Sequence, residues 1–175
     1  MKKFTFMLMF IIASISYLFG QTETEHFIYE DIETNYFRIK PKGEINKVFA
    51  KGKATLWVGD KALPTYKESI LKPFQELIDE GVFSSERMRE LKQKEEKLRI
   101  ELYFDETGIV SYVSFVIRKE RGTLLTDEEL HQVHKKYMGV AFDMTGTPVW
   151  KSETGSKTSF YCEESFRIPF KDLKY

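Results

Sequence analysis

The sequence predicts an α+β fold: an antiparallel sheet of about five to seven strands with two or three helices packed on one face. Three observations predict it. Residues 98–104 (LRIELYF) and 109–118 (IVSYVSFVIR) are two β-rich runs around Asp105-Glu106-Thr107-Gly108, a loop suited to a hairpin. Thr126-Asp127-Glu128-Glu129 is a capping box that opens a helix. Between Thr65 and Gly81 the apolar residues Ile70, Leu71, Phe74, Leu77 and Ile78 recur at helical spacing.

Along the chain, residues 26–33 and 36–40 are rich in aromatic and β-branched residues, and Asn35 between them marks a short hairpin or two edge strands. Residues 53–58 (KATLWV) read as a third strand. The first helix covers about 66–80; Pro73 either kinks it or marks a fresh first turn, and Gly81 stops it. Ser84 and Ser85 offer N-caps to a charged helix over 85–97, whose inward candidates are Met88 and Leu91. In the run 109–118, Val113, Phe115 and Ile117 share a core face, and Tyr112, Ser114 and Val116 share the other. In the helix after Thr126 the buried stripe is Leu130, Val133, Tyr137 and Met138, and Gly139 ends it. A final strand runs over about 158–170. The chain has neither an internal repeat nor a low-complexity linker.

The N-terminus carries an address. Lys2 and Lys3 precede an apolar run from Phe4 to Ile15, followed by small residues and then the polar stretch Gln21 to Glu25. This is the three-part pattern of a signal peptide, over residues 1–20. Cleavage fits after Ser16, where Ser14 and Ser16 are small, or after Gly20, where the polarity changes. The run is shorter than the ~20 apolar residues a bilayer requires, so stable membrane insertion is not expected after cleavage. A periplasmic or secreted domain over 21–175 is expected, roughly 155 residues and one core.

Charge and composition exclude several function classes. Lys+Arg and Asp+Glu both count 27. Without Lys2 and Lys3 the balance is 25 against 27, a net charge of −2, so no nucleic-acid partner is expected. Cys162 stands alone, which rules out an intramolecular disulfide, and its aromatic setting in Phe160-Tyr161-Cys162 reads as a buried thiol.

Candidate chemistry is sparse. Glu128, His131 and His134 fall along one flank of a helix at three-residue intervals, where they could ligate a metal ion. A closed site needs ligands from a second element, and His26 is the only other histidine, so no metal and no cofactor is favoured. Adjacent acids such as Glu163 and Glu164 face opposite sides of a strand and cannot share a site. No nucleophile elbow and no phosphate-cradling glycine loop is present. Trp57 and Trp150, at expected strand ends, are candidates for binding a glycan or peptide.

Residues 98–170 carry a strand, the loop Asp105 to Gly108, a second strand, Leu125 to Leu130, Gly146-Thr147-Pro148-Val149 and Phe166-Arg167-Ile168-Pro169-Phe170. In this order they resemble the C-terminal domain of TonB-type energy transducers. A transducer keeps its anchor and a long Pro-rich linker, whereas this chain has 5 prolines. The resemblance therefore implies a small exported α+β module rather than energy transduction, and no functional residue carries over. Two function classes follow. The first is a non-enzymatic binding module that docks to an envelope protein by strand addition, as the resemblance suggests. The second is a small secreted hydrolase or metal-dependent enzyme with a site near Glu128, His131 and His134.

Overall fold

The computed structural model describes residues 22–43, 53–54, 63–94, 97–104, 108–142 and 161–175. The strands are β1 (Thr22–Glu23), β2 (Phe27–Glu33), β3 (Tyr36–Pro41), β4 (Lys53–Ala54), β5 (Lys97–Phe104), β6 (Val110–Arg118) and β7 (Tyr161–Pro169). They form one seven-stranded sheet in the order β1-β2-β3-β6-β5-β7-β4. Neighbours are antiparallel except β4, which runs parallel to β7. The fold is α+β, as the patterning predicts.

Helix α1 spans Leu63–Asp79 and keeps Pro73 inside it, so the proline neither ends the helix nor starts a new one. Its C-terminus closes where the sequence places it. Gly81 takes φ 79°, its amide donates to the Ile78 carbonyl, and the Val82 amide reaches back to Leu77. Helix α2 spans Ser85–Gln93, with the Ser84 hydroxyl accepting from the Arg87 amide at 3.1 Å. It is shorter than the predicted 85–97, because Lys97 already pairs with Pro169 in the sheet. Helix α3 spans Asp127–Tyr137 and carries both bonds of the capping box. The last strand ends in a short 3-10 turn, Phe170–Asp172.

A single apolar cluster joins Ile70, Phe74 and Leu77 of α1, Met88 and Leu91 of α2, and Leu130, Val133 and Tyr137 of α3 with Phe27, Ile39, Ile100, Phe115 and Ile168 of the sheet. Both faces of β6 are buried at mid-strand, since Tyr112, Ser114 and Val116 are as deep as Val113 and Phe115. On that second face Tyr103 and Tyr112 meet edge to face, with centroids 5.1 Å apart. In its midst lies Glu101, only 2% exposed. It accepts from Arg38 of β3 at 2.8 and 3.2 Å and from Ser114 of β6 at 2.8 Å.

The buried Tyr137 hydroxyl donates to the Ile70 carbonyl, one turn before Pro73, and so ties α3 to α1. Burial holds that phenol above its ordinary pKa. Tyr137→Phe keeps the packing and loses this bond. It is expected to lower stability by about 1 kcal/mol in urea unfolding.

Candidate functional site

The Thr126 capping box fixes where α3 begins. The Glu129 amide donates to the Thr126 hydroxyl at 3.2 Å, and the Thr126 amide donates to the Glu129 carboxylate at 2.8 Å. Glu129 is also gripped by Arg87 of α2, Nε to Oε1 at 2.7 Å and a terminal nitrogen to Oε2 at 2.9 Å. Burial raises the Glu129 pKa, but the bonds from Arg87 and Thr126 outweigh it and hold the carboxyl below its usual value. The same contact, led by the Glu129 hydrogen bond, pushes the Arg87 guanidinium above its own.

With the helix start anchored, Asp127 and Glu128 meet the chain between β1 and β2. The Thr24 hydroxyl donates to Asp127 Oδ1, the His26 amide donates to Oδ2 at 3.3 Å, and His26 Nε2 lies 3.3 Å from Glu128 Oε2. The His26 ring lies flat on His131, with centroids 3.8 Å apart and planes 11° apart. The His134 ring is nearly parallel to that of His131 at 6.3 Å, and it meets Phe27 edge-on at 6.2 Å.

This geometry separates the three helical candidates. His134 is 6% exposed and belongs to the core, while Glu128 is at the surface, bonded to Gln132. That bond, with the one to His26, holds the Glu128 carboxyl below its usual pKa. Imidazole lone pairs lie in the ring plane, so parallel stacked rings do not aim them at one ion. Among the described residues no group of three His, Cys, Asp or Glu could hold a metal. The stack instead clasps the start of β2 to α3. Sequence reasoning missed His26 here because it lies about a hundred positions from its partner, beyond any local periodicity.

A second feature also escaped the sequence. At the end of the sheet where β5 begins and β6 ends, a cleft of about 340 Å³ opens beside the turn 119–125. Lys97, Arg99, Arg118, Arg121 and Arg167 line it, and none of the described lining residues is Asp or Glu. Leu98, Leu124, Leu125 and Leu130 add apolar wall. Arg118 bonds the Tyr36 hydroxyl at 3.3 Å and approaches Glu120 at 3.7 Å, while Arg99 Nε donates to Ser165 at 2.8 Å. The five cations come from β5, β6, the turn and β7, and a neutral composition conceals their convergence.

Trp57 and Trp150 lie outside the described residues, as do residues 1–20, where a signal peptide is expected, and the Gly146 to Val149 motif. Of the predicted strand 53–58 the described part is Lys53–Ala54, and Cys162 occupies a β7 position opposite Phe104.

No family model, curated protein or solved structure matches this chain.

His131 is held below its ordinary pKa of 6.5, first by burial and then by the positive charge of His26 and Lys135. The folded chain thus binds this proton more weakly than the unfolded one. The associated stability is complete above pH 6.5 and is lost as the pH falls through that value toward the lower folded pKa. His131→Gln is expected to flatten this loss, read as urea midpoints between about pH 7.5 and pH 5.

Proposed function

We propose that this chain is an exported, non-enzymatic binding module, periplasmic or secreted once its N-terminal segment is removed, that docks to an envelope protein by accepting an extended segment at a sheet edge. The observation that carries this reading is how the sheet ends. Among the described residues β4 pairs with β7 only at Tyr161 and Cys162, so the outer edge of Glu163 to Pro169 is paired by no other described strand. A strand edge with no neighbouring strand presents a row of backbone donors and acceptors that an incoming segment can pair with. Pro169, which has no amide hydrogen, sets its end. Half-buried Phe166 and buried Ile168 lie on the strand's apolar face, a ready register for alternating apolar residues of the partner. The stacked histidines support the non-enzymatic side of the reading, because the rings of His26 and His131 pack face to face and hold the start of β2 against α3.

The test is hydrogen exchange on the protein bound to the envelope partner it crosslinks to. Amides within residues 163–168 that point away from β5 are expected to slow by about tenfold or more on binding. Protection elsewhere with β7 unchanged, or failure to obtain any specific partner, contradicts the reading.

A further inference from the structure

The basic cleft carries an inference that stands independently of docking at the β7 edge. Arg99 of β5 and Arg167 of β7 are directly opposite each other in register. Like charges in that position destabilise a sheet. On its other side Arg99 faces Val116, so the neighbouring strand supplies no carboxylate to offset the pair. Many cations of this chain face a carboxylate, as Arg38 does Glu101, Arg87 Glu129 and Glu90, Lys119 Asp31, Lys136 Glu76 and Glu80, and, at the cleft itself, Arg118 Glu120; the contrast is with the Arg99–Arg167 pair. Carboxylates are as numerous as cations in the sequence, yet none lines the cleft among the described residues.

We infer that this cleft binds a soluble phosphate monoester, its phosphate seated between Arg99 and Arg167 and its apolar body along Leu124 and Leu125. The phosphate is favoured over a carboxylate by charge: a dianion neutralises two guanidinium groups at once. Among the described residues Arg99 bonds through Nε to Ser165, which leaves its two terminal nitrogens for the ligand. Lys97 and Arg118 also line the cleft and add to its positive field, and Arg121 sits on the flanking turn. The 340 Å³ volume suits one small organic molecule, at the lower end of the ~300–1,000 Å³ that such sites span.

The test is calorimetry of the purified protein with phenyl phosphate, using phenyl sulfate as the singly charged analogue. Phenyl phosphate is expected to bind, and phenyl sulfate to bind at least about tenfold more weakly. Arg167→Gln is expected to weaken phenyl phosphate about tenfold or more, while Arg89→Gln, which removes an exposed cation on α2, leaves it unchanged. Melting temperature provides a readout independent of calorimetry. Without ligand, Arg167→Gln melts no lower than the native chain because a repulsion is relieved, and phenyl phosphate raises the melting temperature of the native chain but not of the variant. No detectable binding, equal weakening by Arg89→Gln, or equal affinity for the sulfate overturns the inference. Binding confined to vesicles containing phosphatidic acid, with none to the soluble ester, also overturns it.

Discussion

The carboxylate of Glu101 is the constraint on which this sheet depends. It sits in the middle strand of β6-β5-β7, almost wholly removed from water, and receives Arg38 from β3 and Ser114 from β6. A carboxylate buried without partners costs several kcal/mol even after the protein relaxes around it. A slip of one residue between β3 and β6 would carry Arg38 to the opposite face and leave the charge unanswered. The registers Arg38 with Val116 and Arg99 with Val116 are therefore held by one polar contact that spans three strands. Such contacts specify an arrangement more than they stabilise it. The same registers bring Arg99 and Arg118 to one end of the sheet, where the pairing of β5 with β7 adds Arg167.

The helices are tied to this frame by similar means. Apolar burial supplies the bulk of the driving force through Phe74, Leu91, Val133 and their neighbours, but it has no direction. Direction comes from a few polar bridges: Arg87 to Glu129 between α2 and α3, Tyr137 to Ile70 between α3 and α1, and Thr24 with His26 to Asp127 between the first strands and α3. Arg87 also donates to the Leu124 carbonyl at 2.7 Å, which secures one wall of the basic cleft. The cleft is thus held by contacts on both sides: the sheet register below and the α2–α3 clamp beside it.

Signals that act within a few residues were legible in the sequence. The Thr126 capping box, the Ser84 cap, the Gly81 stop and the hairpin around Gly108 each depend on neighbours in the chain, and each stands where it was read. Contacts between distant residues were not. The charged run after Leu91 has good helix propensity, yet α2 stops at Gln93 because pairing of Lys97 with Pro169 prevails over propensity. Nothing beside Glu101 in the sequence marks its place in the sheet, since Arg38 is 63 positions away. The candidates Glu128, His131 and His134 shared a flank by spacing, but burial divided them, and the partner that His131 found, His26, came from another element. The cleft cations were invisible to net charge, which averages over the whole surface.

The central claim, that Glu101 and Arg38 lock the sheet register, is tested most directly by a double-mutant cycle with Arg38→Met and Glu101→Gln, read by urea unfolding. The account predicts a coupling of about 2 kcal/mol, each single variant costing far more than the pair's removal adds. Strictly additive effects, with no coupling beyond experimental error, would contradict it.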